Sequence, residues 1–174
     1  EKAMFADEDT RQLFSQHANV LAILTEMVKG EDAAKLMDKV LTDPLLAQTT
    51  IYFKYYQMLA LKQVGYADRY LNQLGLWQDH INSGLTTWAE ITDTKTTRSD
   101  CHAWGASPNI ELYRTVLGIE SAAPGFSEVK IEPALGDLKM AQGTIPHPKG
   151  FVSVSYQQRG GKWDITVEMP EGGS

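Results

Sequence analysis

Residues 116–131 read VLGIESAAPGFSEVKI, and the change of rhythm inside this stretch decides the fold. Up to Leu117 the apolar residues Trp104, Ile110, Leu112, Tyr113, Val116 and Leu117 recur at helical spacing, with Gly118 placed to close the helix. Past Ala122-Ala123-Pro124-Gly125-Phe126 the period becomes two. Val129 and Ile131, Leu138 and Met140, Val152, Val154 and Tyr156, then Trp163, Ile165 and Val167 alternate with polar neighbours, as strands do. Gly160-Gly161 between the last two groups is a hairpin signal. The chain is therefore expected to be helical over 1–118 and β over 119–174.

Upstream, the spacing predicts a helix over Thr10–Lys29, opened by a capping box of Asp9 and Gln12 and stopped by Gly30. A second helix is expected over Asp32–Thr42, ended by Asp43-Pro44, a third over Thr50–Val64 before Gly65, and a short fourth over Tyr66–Leu74. Helices that follow one another without intervening strands point to an array of α-hairpins or a toroid rather than a βαβ fold. From Gly75 to Ser99 the period fades, and a long loop of this kind usually carries function. Pro108 has to sit in the first turns of the next helix or at a kink.

The 174 residues suffice for one domain and a second small one, and the 43% hydrophobic and 22% charged residues are those of a globular protein. A net charge of -6 with no basic cluster argues against nucleic acid and suits neutral small molecules such as sugars. No apolar run approaches the roughly 18 to 20 residues of a membrane span. The single cysteine excludes an internal disulfide and any zinc site built on two thiolates. His17, His80 and His102 lack the helical pairing that builds a metal face, so neither metal nor cofactor is expected. The Glu1-Lys2 start and the Pro-Glu-Gly-Gly-Ser finish both read as cuts in a longer polypeptide.

Two stretches could carry chemistry. In Gly84-Leu-Thr-Thr-Trp-Ala-Glu90 a carboxylate lies close to Trp88, where partial desolvation suits general acid or base work; the plain alternative is a solvated loop glutamate. In TTRSDCHAWGASP, residues 96–108, Arg98, Asp100, Cys101, His102 and Trp104 crowd together. Asp100 or Ser99 could cap the following helix, and Arg98 and Asp100 could pair with each other or orient His102. Cys101 reads as a small buried apolar residue. Trp88 and Trp104, flanking this cluster, are the better candidates for stacking on a sugar, whereas Tyr52, Phe53, Tyr55 and Tyr56 at helical spacing read as core or contact residues. Asp7, Glu8 and Asp9 read as charges of a first helical turn.

Together, GLTTWAE, TRSDCHAWGASP and the long run LYRTVLGIESAAPGFSEVKIEPALGDLKMAQGTIPHPKG resemble the C-terminal part of bacterial α-L-rhamnosidases of glycoside hydrolase family 78. The resemblance implies the last helices of an (α/α)6 toroid followed by part of an antiparallel β-sandwich. It also implies inverting hydrolysis of terminal α-L-rhamnosides, with Glu90 as general base, His102 in sugar binding and a rhamnose-containing glycan or glycoside as substrate. The general acid would come from the earlier half of the toroid, so the chain by itself is expected to be inactive and to cover its open faces by self-association. The competing readings are a non-catalytic carbohydrate-binding or assembly module and another (α/α)6 glycosidase.

Overall fold

The computed structural model describes residues 4–171. By its contacts the chain forms two compact units, one running through Pro108 and the other starting at Asn109.

The first unit is helical. Helix α1 (Gln16–Leu24) packs against α2 (Gly30–Thr42) and α3 (Ile51–Gln63); a 3-10 segment (Ala67–Gln73) and α4 (Gly75–Asn82) follow. Val20, Ile23, Leu36, Met37, Val40, Ile51, Met58 and Leu61 form its buried centre. Helix α1 starts six residues later than the sequence suggested, because Ser15 and not Asp9 is the cap: its hydroxyl accepts from the Ala18 amide at 3.2 Å. That hydroxyl in turn donates to Asp7 Oδ1 at 2.6 Å, while Asn19 bonds the Phe5 backbone in both directions. Asp7, Glu8 and Asp9 thus lie in a non-helical lead-in segment rather than in a first turn. Leu13, counted in the apolar stripe, is 62% exposed as a result. Gly30, expected as a stop, opens α2 with a φ of 58°. Part of the predicted loop is helix α4, whose Trp77 and His80 are buried.

The second unit starts within α5 (Ser107–Glu111), where Pro108 occupies the second position, and a π-helical turn (Leu112–Val116) follows. This division falls ahead of the change of period at Gly118. The turn contacts strand β1 (Ile119–Ser121), its Thr115 and Val116 carbonyls accept from the Ala134 amide, and Leu117 enters the β core. Strand β1 pairs antiparallel with β2 (Val129–Ile131). Strands β3 (Met140–His147), β4 (Gly150–Arg159) and β5 (Lys162–Glu168) form a second antiparallel sheet in sequence order. The β4-β5 turn is Gly160-Gly161, both with positive φ, as a two-residue hairpin requires. Strand β3 begins at Met140, so Leu138 lies before it. Val152, Val154 and Tyr156 point from β4 onto Leu117 and Ile119, and the Tyr156 hydroxyl donates to the Leu117 carbonyl at 2.9 Å. Helices plus antiparallel sheets are thus the architecture of the chain.

Candidate functional site

The residues singled out in the two motifs meet because the chain between 84 and 106 folds back on itself. The Glu90 amide donates to the Ser99 carbonyl at 2.9 Å and the His102 amide to the Trp88 carbonyl at 2.9 Å. The Thr87 hydroxyl donates to the Asp100 carbonyl across the same neck. Ala89, between Trp88 and Glu90, is fully buried and anchors one arm. The excursion beyond the neck is turned by Asp93, which accepts from the Lys95 amide at 2.9 Å and the Thr96 hydroxyl at 2.8 Å. Those bonds hold its carboxyl below the usual aspartate range, the Lys95 amide first among them.

Beneath the neck, the Trp77 indole donates to the Gly105 carbonyl at 2.6 Å, and His80 Nε2 lies 3.2 Å from the Thr92 carbonyl. Gly105 is required by this packing: a Cβ there would stand 2.4 Å from Trp88 Cβ. The chain turns into a 3-10 segment (Ala103–Ala106) directly after His102, which occupies the capping position without a side-chain cap. Neither Ser99 nor Asp100 is that cap. Cys101, expected to be buried, is exposed, while its neighbour His102 is the half-buried residue at this point of the chain.

The Glu90 side chain is 18% exposed and meets Arg98 on both oxygens, Nε to Oε2 at 3.1 Å and Nη2 to Oε1 at 2.6 Å. Arg98 therefore pairs with Glu90 and not with Asp100. His102 Nε2 stands 3.7 Å from Glu90 Oε1, and its Nδ1 is buried without a hydrogen-bond partner among the described residues. Trp104 packs on the His102 ring with centroids 4.6 Å apart, and its indole donates to the Glu90 carbonyl at 3.3 Å. On its other side Trp104 meets Tyr52 edge-on at 5.6 Å. Tyr52 and Trp104, 47% and 43% exposed, form an aromatic corner next to His102 and the Glu90 backbone. Trp88 joins through its backbone, while its half-buried ring lies 6.3 Å from His80.

Glu90, His102 and Trp104 are thus brought together by the fold. The sequence reading passed over Arg98 as the partner of Glu90 and Tyr52 as a neighbour of Trp104. A carboxylate in a loop with only Lys95 and Arg98 as nearby cations was the available signal for the first; helix α3 is too distant in sequence to give one for the second. The arrangement offers an oriented carboxylate next to an imidazole and two exposed rings, a set suited to water activation beside a sugar. Among the described residues no cluster of His, Cys, Asp or Glu is arranged to hold a metal ion, and no helix is long and apolar enough to cross a membrane.

Residues 118–174 match the bacterial alpha-L-rhamnosidase C-terminal domain. An alpha-L-rhamnosidase of Alteromonas sp. (strain LOR) is 31% identical over a stretch that covers 54% of this chain and 11% of that protein. The crystal structure of a family 78 rhamnosidase of Bacillus sp. GL1 superposes with a TM-score of 0.88 at 27% identity, over 98% of this chain and 20% of that one. The α-L-rhamnosidase of Streptomyces avermitilis, solved with L-rhamnose, shares the fold at 24% identity with a TM-score of 0.76, over 91% of this chain and 17% of that one. The chain therefore spans a small fraction of the length of these relatives. In its matched β segment, its curated relative and its solved counterparts, the chain is similar to the C-terminal part of bacterial α-L-rhamnosidases of glycoside hydrolase family 78.

Proposed function

We propose that this chain supplies the general-base wall of an inverting α-L-rhamnosidase, with Glu90 activating the attacking water and His102, Trp104 and Trp88 lining the sugar pocket. The observation that carries the reading is the Glu90 carboxylate, largely withdrawn from water yet 3.7 Å from His102 Nε2, whose ring packs on the exposed Trp104. An inverting hydrolase needs one carboxylate to take a proton from water and a second, about 6.5–9.5 Å away, to protonate the leaving oxygen. Glu90 fits the first role. The acid partner then belongs to the part of the enzyme outside this chain, with the helical segment completing an (α/α)6 toroid over 1–118 and the strands from 119 onward contributing to a β-sandwich. A rhamnose-containing glycan or glycoside is the substrate, and the isolated chain, left with apolar faces, associates with itself.

The test is turnover of an aryl α-L-rhamnoside by the full-length enzyme that contains this chain. Glu90→Gln keeps the size of the side chain and removes its basicity, so kcat is expected to fall by about a hundredfold or more with substrate affinity little changed. The 174-residue chain, as a control, is expected to show no turnover. Wild-type kcat in Glu90→Gln with weakened binding would make Glu90 a substrate contact and not a base.

A further inference from the structure

A carboxylate withdrawn from water has to be met by cations or hydrogen bonds. Among the described residues, the cationic or potentially cationic groups recorded at the Glu90 carboxylate are Arg98 and His102. Only Arg98 is at hydrogen-bond distance, and it takes both oxygens, at 3.1 Å and 2.6 Å. Such a planar two-point fork fixes the rotation of the carboxylate as well as its position, which the point charge of a lysine does not do. An ionised carboxylate offers about four lone-pair sites, so the fork leaves one on each oxygen to receive a proton.

The position of Arg98 follows from the neck of the loop. The Ser99 carbonyl accepts the Glu90 amide, which holds the chain next to Arg98 alongside the glutamate, within reach of its guanidinium. The Arg98 side chain is 80% exposed, so its removal takes little packing with it. Its bonds to the Glu90 carboxylate are thus what it contributes.

We propose that Arg98 is a positioning residue for Glu90: its guanidinium sets the orientation in which the carboxylate meets the attacking water, without itself contacting substrate. The proposal rests on the general-base reading of Glu90.

The experiment uses the full-length enzyme with Arg98→Ala and Arg98→Lys, each in the wild-type and the Glu90→Gln background, and an aryl α-L-rhamnoside as substrate. In the wild-type background Arg98→Ala is expected to lower kcat roughly tenfold to a hundredfold with KM within about twofold, the scale of a misplaced catalytic group. Lysine recovers part of the loss, and guanidinium added to the buffer restores part of the Arg98→Ala rate. In the Glu90→Gln background the same substitution costs nothing further, because it acts through the missing carboxylate. Equal losses in both backgrounds, an unchanged kcat, or a rise in KM alone would each overturn the positioning role. Glu90→Gln with wild-type turnover would overturn the base reading itself, whereas an inactive Glu90→Gln beside an unaffected Arg98→Ala would overturn only the role of Arg98. Should Arg98→Ala unfold, Arg98→Gln carries the same comparison with the chain length and some donors retained.

Discussion

His17 lies with its ring centroid 4.4 Å from that of Phe53, in the helical unit. Burial is the larger cause that lowers its pKa below the ordinary value of 6.5, opposed by the Asp7 charge and reinforced by Lys54. Protonating it therefore costs more in the folded chain than in the unfolded one. Its contribution to stability is fully present above 6.5, falls as pH drops from there through the lowered folded value, and levels off below it. In urea melts at neutral and mildly acidic pH, His17→Gln should flatten the stability difference that the wild type shows across this window. An unchanged difference would exclude His17 as its source. At the same scale, the grouping of the candidate site was legible where chemistry crowds in sequence: Glu90, His102 and Trp104, chosen from two short motifs, lie together. The Glu90-Arg98 pair was not, because it depends on which residues face each other across the loop neck, and residue identity carries no register. Cys101 was misread for the same reason, since which side of a non-repetitive segment faces inward is set by its tertiary partners.

Gly118 marks the change of period, and its backbone explains why a glycine stands there. Its φ is 74°, and a Cβ would come within 2.1 Å of the Glu132 carbonyl carbon and 2.4 Å of the Pro133 nitrogen. Its carbonyl accepts the Glu132 amide at 2.9 Å, which locks the turn after Leu117 to the chain beyond β2. Gly118→Ala should destabilise the chain by about 2–4 kcal/mol, backbone strain and overpacking together. Gly125 has a similar φ of 69°, but a Cβ added there would meet nothing within 4 Å, so Gly125→Ala should cost only about 1–2 kcal/mol. Equal losses in the two urea melts would refute the steric part of the argument. The strands and the Gly160-Gly161 hairpin could be read from alternation because a half-buried sheet writes its pattern directly into the sequence. Helix starts could not, since Ser15 won over Asp9 through the Asp7 carboxylate and through the Ala47 backbone, the latter beyond any local window.

For the whole chain, the uncovered surfaces decide behaviour in solution. Tyr52 is exposed, but Phe53, Tyr55 and Tyr56 are half-buried and pack on one another or on Tyr52 and His17, which leaves them less free as contacts than expected. Strand β5 is the stronger liability. It is an edge strand, and Trp163, Ile165 and Val167, at 36%, 59% and 43% exposure, continue the sheet face on which Val154 and Tyr156 are buried. Light scattering over a concentration series should show association of the 174-residue chain, shifted toward monomer by Ile165→Lys. A clean wild-type monomer at high concentration would refute this. The fastened neck of the 84–106 loop bears on a different question, that of divergence. The bonds joining Glu90 to Ser99 and His102 to Trp88 close the excursion at its base, so residues 91–97 can gain, lose or exchange positions while the carboxylate and the imidazole keep their spacing. On the proposed general-base reading, lineages that share this neck are free to rewrite the residues between its arms at no cost to the placement of Glu90 and His102.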